Sequence, residues 1–425
     1  MVNSYFIKYR RFIVYILVVL VFASCKDQQK SSTFFVGAAS HNINPDTGAF
    51  IAGDKNDRHF TGIHDSIFVK AIVVSDANNQ IAILTFDCIG LLYPTLLDIR
   101  KEAALQIPAT SLNPSSIIMA STHTHSGPDV VGIWGPNQMT SGVDSQYMKR
   151  LVQNAVAVIV TALKNKQPAT LHYATTTFGN EWVYNISETD ELDRSVSILQ
   201  FKDINGKSIA TLTNFACHPT IMDGSNSLVS SDYVFGMYKQ LNKTFGGENL
   251  FLQGSIGGWV QPEYEEKTFD RAERRGSELG VAVEKALKNS TAASETNIQF
   301  KSKVFNLPVT NIGFQQLSAA GIINRPITDS VSTEIAWFSI GHAQFVTHPG
   351  ETIPAYSIQS KKLMNTKGPK FVIGLGMDAL GYILKPTFFG TDTSIHHTAY
   401  LTGMSIGKDA GPILMNTIEL LAKKK

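Results

Sequence analysis

Short apolar runs bounded by turn-forming residues recur along most of the chain. Many of these runs are rich in β-branched residues and end at Gly, Pro, Asn or Asp, which is typical of strands between turns. Two pairs of runs are predicted hairpins, one joined by residues 76–79 and one joined around Asn205-Gly206, the strongest short hairpin signal. We predict strands at 34–39, 67–75, 81–86, 117–119, 195–201, 208–215, 249–253, 300–307, 334–339, 343–346 and 370–374.

Longer segments between these runs have helical spacing. In residues 146–164 apolar positions recur every three or four residues, and residues 268–289 keep their charges on one side. Residues 94–107 have this spacing with a proline near the start, and residues 351–364 form the fourth predicted helix. Helices interspersed among strands predict an α/β or α+β fold with mixed β-sheets flanked by helices. We expect one large domain over residues 34–425, because no linker or repeat divides it.

The beginning of the chain has the pattern of a targeting segment. Three basic side chains in residues 8–11 precede the apolar run 12–23, which is shorter than the roughly 20 residues that span a bilayer. The run ends at Phe-Ala-Ser-Cys, similar to a bacterial lipobox, although Phe is uncommon three positions before the cysteine. We predict a lipoprotein signal peptide in residues 1–25, lipidated at Cys25, and a tether in residues 26–33; an ordinary signal peptide with an incidental cysteine is the alternative. The protein would then be lipid-anchored in a bacterial cell envelope, at the outer membrane or cell surface, outside the cytoplasm.

Composition and charge narrow the function classes. The formal net charge is +2 and no basic stripe is present, so nothing indicates nucleic-acid binding. Beyond Cys25 the chain has only Cys88 and Cys217, which excludes a disulfide scaffold and leaves open whether the two pair. The oligomeric state is not specified by these features.

Two histidines close the strand that begins at Ile117. If the strand continues through Thr122-His123-Thr124-His125, both imidazoles point to the same face, because side chains alternate along a strand. Gly127-Pro128 then stops the strand. A metal site and a pair of hydrogen-bonded histidines at a turn are both compatible with this motif.

A second segment repeats that arrangement. Residues 211–220 form a strand-like run that ends in Cys217-His218-Pro219. With the first motif, this segment resembles the neutral ceramidase family, zinc amidases that cleave the amide of ceramide. Three further signatures follow the family's order, and ordered matches are more specific than any single one. They are Gly62-Ile63-His64-Asp65, Pro349-Gly350-Glu351 and Gly381-Tyr382.

The resemblance implies a metal site and a reaction. Carried over from the family, the zinc ligands are His123, His218, Glu351 and Tyr382. Zn²⁺ bound there would activate a water for hydrolysis of an amide or ester bond. Tyr382 would bind zinc as the phenolate or donate to the developing oxyanion, whereas the alternative for Tyr382 alone is a packed aromatic residue. His125 lies two residues past a ligand, and we assign it as general acid/base or transition-state donor.

Other residues have candidate supporting roles. Asp87 ends a predicted strand and would either orient a histidine or serve as a turn residue. His348 precedes the Pro-Gly-Glu turn and is a candidate to support the ligands. The pair His396-His397 is predicted to be a surface or loop pair.

The sequence departs from the family at two motifs. The family's G-D-V-S-P-N segment corresponds to residues 257–262, which hold Trp259 and no serine at the matching place; Ser255 is near but unmatched. The family's N-R-S corresponds to Asn185-Ile186-Ser187, so a planar bidentate cation is missing. We therefore expect weak or absent activity on ceramide. Full-length ceramidases carry a C-terminal β-sandwich, and this chain is expected to contain the catalytic domain alone.

The leading hypothesis is therefore a zinc-dependent, ceramidase-like amidohydrolase. Its partners would be a small-molecule or lipid substrate and, through the lipid anchor, a membrane. One alternative is a catalytically inactive relative that binds a lipid or a glycan. Another is a carbohydrate-active enzyme on the same scaffold.

Overall fold

The computed structural model describes residues 33–222, 224–263 and 265–423. The predicted signal peptide, Cys25 and nearly all of the tether lie outside the described residues, so they stay predictions. Within the described part of the chain, no helix combines the length and the apolar character needed to cross a bilayer.

Eighteen strands are formed by the described residues. In chain order they are β1 (Phe34–Asn42), β2 (Gly62–Ile63), β3 (Phe68–Ser75), β4 (Gln80–Phe86), β5 (Ile117–Ser121), β6 (Gln167–Thr177), β7 (Val183–Asn185), β8 (Ser195–Lys202), β9 (Ser208–Phe215), β10 (Leu228–Val229), β11 (Glu248–Gln253), β12 (Val260–Pro262), β13 (Ile298–Pro308), β14 (Ser330–Ile340), β15 (Ala343–Thr347), β16 (Glu351–Thr352), β17 (Lys370–Ile373) and β18 (Tyr382–Ile383).

Eight α-helices connect these strands. They are α1 (Tyr93–Gln106), α2 (Ser145–Lys164), α3 (Tyr233–Thr244), α4 (Phe269–Leu287), α5 (Ile312–Ala319), α6 (Pro354–Leu363), α7 (Thr398–Gly403) and α8 (Ala410–Lys423).

Two mixed sheets carry most of the strands. The larger has the order β11-β9-β8-β6-β1-β3-β4-β5, antiparallel except for the pairs β11–β9 and β4–β5. The smaller has the order β13-β14-β15-β17, with β15 and β17 parallel. The larger sheet curls so that its edge strands β5 and β11 contact each other. The ends of strands far apart in the sheet order therefore meet in space.

The two sheets pack face to face over a shared apolar core. Phe201 and Leu250 of the larger sheet belong to the same buried cluster as Phe338, Phe345 and Phe371 of the smaller one. The outer faces are covered by helices: α2 and α3 contact the larger sheet, and α6 and α8 contact the smaller. The result is a four-layer arrangement of helices, sheet, sheet and helices, which confirms the predicted mixed α/β (α+β) class.

Most predicted elements are confirmed within two or three residues at each end, including both hairpins. Strand β6 was missed because most of its side chains are polar and partly exposed, so no apolar run marks it. Helices α3, α5, α7 and α8 were also missed. The helix predicted from residue 351 was wrong at its start, since Glu351 pairs in strand β16 and α6 begins only at Pro354. Proline is favoured in a first helical turn, where its missing N–H has no partner to lose.

Candidate metal centre

His123 is placed by a turn rather than by a strand. The strand predicted to run through it was wrong, because β5 ends at Ser121 and His123 has a positive φ of 71°. The backbone N–H of His123 donates to the carbonyl of Cys88, and its Nδ1 lies 2.5 Å from the carbonyl oxygen of Ile89. A carbonyl can only accept, so Nδ1 carries the proton and Nε2 presents a lone pair.

His218 is held in the same way after strand β9, near the opposite edge of the larger sheet from β5. It follows β9 after two residues, and the carbonyl oxygen of Val260 accepts from both its backbone N–H (2.9 Å) and its Nδ1 (2.7 Å). The Nε2 lone pair of His218 is thereby directed away from Val260. Two backbone carbonyls thus fix two imidazoles in the same tautomer.

Glu351 and Tyr382 are register partners in the parallel pair β16–β18. The backbone N–H of Glu351 donates to the carbonyl of Gly381 at 2.9 Å. Both side chains are buried, with Glu351 8% and Tyr382 5% exposed. The short strand pair therefore places an acid and a phenol side by side.

These side chains converge on one point. Oε2 of Glu351 lies 3.1 Å from Nε2 of His218 and 3.6 Å from Nε2 of His123. Nε2 of His125 lies 3.4 Å from Nε2 of His123. Ring nitrogens of all three histidines lie within 4.8 Å of one another. The structure thus brings together His123, His218 and Glu351, with Tyr382 beside Glu351 in the strand pair.

The donor set fits a zinc ion. Ligands bound at about 2.0–2.1 Å in a tetrahedron are roughly 3.3–3.4 Å apart, close to the separations observed here. With the Nδ1 protons given to carbonyls, the Nε2 lone pairs of His123 and His218 face the Glu351 carboxylate, which also only accepts. Acceptors opposed at such distances repel unless a cation or a proton lies between them. Burial lowers the pKa of His123 to about 3, so this imidazole stays neutral and available as a ligand.

The acid and the phenol have opposite pKa shifts. Burial by itself would raise the pKa of Glu351, but positive charge at the position of His123 and His218 outweighs burial and lowers the pKa. Because the His123 imidazole is itself neutral, a bound cation would supply such charge here. Burial and then the Glu351 charge raise the pKa of Tyr382 well above its ordinary value. At neutral pH Glu351 is therefore a carboxylate, and the Tyr382 phenol keeps its proton in the metal-free protein.

Asp54 is a functional candidate that the sequence analysis missed. Its Oδ2 lies 3.5 Å from Nδ1 of His125, on the side of the ring opposite the other histidines. Gly53 packs against this ring: a Cβ there would lie 2.4 Å from Nδ1 of His125, and its φ is +82°. Arg58 donates to the carbonyl of Gly53 at 2.8 Å and so holds the loop in place. No local motif marks Asp54, because 71 residues separate it from His125.

Gln253 connects the two histidine segments and was missed as well. Its Nε2 donates to the carbonyls of Thr122 and Cys217, both at 2.9 Å, the residues immediately before His123 and His218. The sequence signal that could have identified it is an amide side chain at the end of the apolar strand β11, because a buried amide needs hydrogen-bond partners.

Asp87 does not orient a histidine, and that alternative was wrong. Its carboxylate accepts from the N–H of Phe68 at 3.0 Å and the hydroxyl of Tyr238 at 3.3 Å. Burial raises the pKa of Asp87 to about 6, although the nearby Lys70 opposes this. His123 and His218 are oriented by backbone carbonyls instead, to which their Nδ1–H groups donate.

His348 lies behind the Glu351 turn without joining the cluster. Its Nδ1 lies 2.7 Å from Oγ1 of Thr352, which in turn lies 2.9 Å from Oγ of Ser255. Ser255 is therefore buried and hydrogen-bonded to Thr352, and it does not join the donor cluster.

The remaining histidines and the cysteines lie outside the donor cluster. The exposed pair His396-His397 is a loop pair as predicted, although the His397 ring contacts Trp259. Cys88 and Cys217 are both free, buried thiols.

The fold and the donor set define a four-layer α/β protein with a candidate mononuclear metal site. A family model described as "Neutral/alkaline non-lysosomal ceramidase, N-terminal" matches residues 49–239. This range includes the three histidines but neither Glu351 nor Tyr382.

Individual relatives agree with this match. Neutral ceramidase B of Dictyostelium discoideum is 25% identical over 224 residues, 47% of this chain and 30% of that protein. Neutral ceramidase of Pseudomonas aeruginosa is 25% identical over 186 residues, 40% of this chain and 28% of that protein. The matched part is thus less than a third of each relative.

Solved structures extend the likeness to the rest of the fold. The crystal structure of neutral ceramidase from Pseudomonas aeruginosa superposes with a TM-score of 0.75 at 15% identity, over 92% of this chain and 74% of that chain. A structure described as ceramidase complexed with C2 gives a TM-score of 0.72 at 15% identity, over 92% of this chain and 75% of the other. The chain is similar in sequence and in fold to neutral/alkaline ceramidases, which confirms the resemblance that its motifs indicated.

Proposed function

We propose that this protein is a zinc-dependent hydrolase of an amide or ester bond in an acyl compound. One observation carries the proposal: three imidazoles and a carboxylate converge, and three of these groups, His123, His125 and Glu351, line an apolar cavity of about 410 Å³. Pockets of this size, mostly apolar with a few converging polar groups, are typical ligand sites. The similarity to neutral ceramidases supports an acyl substrate.

His123, His218 and Glu351 would hold the zinc, with Tyr382 adjacent to the remaining position. When bound, zinc lowers the pKa of a water toward ~7 and polarises a carbonyl oxygen. Glu351 supplies the one negative charge of this set, while the His123 imidazole is neutral. The site would therefore keep net positive charge with the ion in place, which favours a developing oxyanion.

His125 and Tyr382 would handle protons and charge around the reacting carbonyl. His125 lines the cavity with its Nε2 toward the donor cluster, so it can accept a proton from the attacking water and return it to the leaving group. The protonated Tyr382 phenol can donate a hydrogen bond to the carbonyl oxygen as negative charge develops there.

The experiment that tests this proposal is a turnover assay on N-acyl and O-acyl substrates. Protein loaded with one equivalent of zinc should hydrolyse at least one member, and activity should disappear with a chelator and return with zinc. Tight binding of a lipid or a glycan without turnover would instead support a catalytically inactive relative. Turnover of a glycoside would support the carbohydrate-active alternative.

Asp54→Asn should lower kcat about 10-fold while leaving KM and the zinc content near wild type. The Asp54 carboxylate lies 3.5 Å from Nδ1 of His125, a ring nitrogen with no hydrogen-bond partner among the described residues, so it would orient this ring. Partners of this kind contribute about 10–100-fold. Steady-state kinetics with metal analysis checks this. Asp57→Asn, an exposed carboxylate in the same loop, is the matched control and should change neither value. Loss of zinc in Asp54→Asn would contradict a role limited to positioning His125.

The location proposed for this activity is a bacterial cell envelope, through a lipid on Cys25. An acyl cavity beside a membrane-tethered site would suit substrates that partition into lipid.

A further inference from the structure

A second cleft, with a larger share of polar groups than the apolar cavity, also reaches the donor cluster. It has a volume of about 150 Å³ and is lined by His218, Gln261, Glu263 and Arg271 among others. His125, Asp54 and Trp259 line both this cleft and the 410 Å³ apolar cavity. The candidate metal site is therefore a junction between two compartments of different size and chemistry.

The proposed ligands are divided between the compartments. His123, Glu351 and Tyr382 line the apolar cavity, whereas His218 lines the cleft. A bond positioned at the cluster would thus have one substituent in each compartment. Trp259 is fixed at the boundary, because its ring stacks on Tyr400 at a centroid distance of 5.0 Å.

The apolar cavity is suited to a hydrocarbon chain. Its walls include Phe314, Ile323, Ile327 and Ile406. One cation, Arg325, also lines it, but its Nη1 lies 2.7 Å from Oδ1 of Asp378, which is fully buried and balances the charge. Burying an alkyl chain here would contribute a favourable free energy of about 25 cal/mol per Å² of apolar surface removed from water.

The cleft has more charged and polar side chains in its walls than the cavity has. Glu263 pairs with Arg271 at 2.7 Å, and Arg271 and Gln261 are 5% and 8% exposed. Oε2 of Glu263 is buried without a hydrogen-bond partner among the described residues. A long alkyl group in this cleft would strip water from these groups and offer no hydrogen bond in return, which is costly. A small group with hydroxyl or charged substituents would meet both donors and acceptors.

We propose that the substrate is a single-chain N-acyl compound whose amine part is small and polar. This inference rests on the proposed hydrolase function and specifies its substrate class. The acyl chain occupies the 410 Å³ cavity, and the polar amine occupies the cleft. Water adds across the C–N bond: the acyl carbon gains the hydroxyl to become a carboxylic acid, and the nitrogen gains the proton and leaves as the free amine.

A matched pair of substrates tests the proposal. N-dodecanoylserine and N-dodecanoylsphingosine share the acyl chain and the amide, but only the second has a long alkyl chain on the amine. We expect kcat/KM to be at least about 100-fold higher for the serine compound, on the scale by which a mismatched polar site rejects a substrate. Equal or faster hydrolysis of the sphingosine compound would overturn the proposal.

Gln261→Leu tests whether the cleft recognises the amine. The change keeps the approximate volume but removes the amide, so KM for the serine compound should rise about 10-fold while kcat and zinc content hold. Gln299→Leu, on the exposed face of β13, is the matched control and should leave KM unchanged. Melting temperatures establish that both variants fold. An unchanged KM in Gln261→Leu would count against the cleft as the amine subsite.

Binding measurements separate this inference from the proposed function. If zinc-loaded protein hydrolyses no member of the N-acyl and O-acyl panel, the hydrolase proposal fails, but calorimetric titration with the serine and sphingosine compounds still decides the inference. Tighter binding of the serine compound by about 10-fold or more supports a single-chain ligand. Equal affinities, or tighter binding of the sphingosine compound, refute it.

Discussion

His218→Ala should lose almost all bound zinc and reduce hydrolysis at least 100-fold. The wild-type protein is expected to hold about one zinc per chain, since the described residues assemble one complete donor set. Removing His218 takes away an imidazole whose Nε2 lies 3.1 Å from Oε2 of Glu351. Even partners outside the ligand set change metal affinity by about 10–100-fold, so loss of a ligand should exceed that. Metal analysis after gel filtration and steady-state kinetics measure the two effects.

His125→Ala separates the roles of the clustered histidines. We expect this variant to keep its zinc and lose activity, because His125 is assigned to proton transfer. His41→Ala, an exposed histidine on β1, is the control and should retain both properties. If His125→Ala loses zinc as fully as His218→Ala does, the three imidazoles together bind the ion. That result is geometrically accessible, since Nε2 of His125 lies only 3.4 Å from Nε2 of His123.

The sequence was informative where signals are local. Apolar runs located most strands, and the ordered motifs brought His123, His218 and Glu351 into one set that the structure assembles. The reason that His123 approaches the cluster was nevertheless wrong. Strand alternation does not apply to it, because its backbone turns with a positive φ and its N–H groups donate to carbonyls of the segment after β4.

The rest of the site depends on contacts between distant segments. Gln253 joins two histidine loops only because the larger sheet curls until β5 and β11 meet. Asp54 approaches His125 only through a loop held by Arg58. Such contacts leave no periodicity in the sequence.

The two departures from the family motifs are placed differently by the fold. Ile186 lines a separate pocket, together with Pro262 and Glu263. Trp259, by contrast, lies at the cluster and separates the two compartments. Weak activity on ceramide is therefore expected mainly because of Trp259 and the cleft beside it. Ile186 contributes less to this expectation, because it does not line either compartment.

Tyr382→Phe should reduce kcat by about 100–1,000-fold while the protein folds normally. Loss of a single oxyanion donor has an effect of this size in other hydrolases. The environment favours a donor: burial and Glu351 raise the pKa of Tyr382 well above its ordinary value, so the hydroxyl keeps its proton at neutral pH. Retained zinc with a low kcat would identify the phenol as a donor, and loss of zinc would identify it as a ligand, the role that the family resemblance implies.

Tyr400→Phe is the matched control for this experiment. Tyr400 lines the same apolar cavity, and its ring lies 6.3 Å from that of Tyr382, but it is about half exposed and stacks on Trp259. Phenylalanine preserves that stacking, so kcat should change by less than about 3-fold, as for a surface polar group with little net contribution. A Tyr382→Phe variant with kcat and zinc content both near wild type would remove Tyr382 from the site. The burial of its hydroxyl beside Glu351 would then be a packing feature of the β16–β18 pair alone.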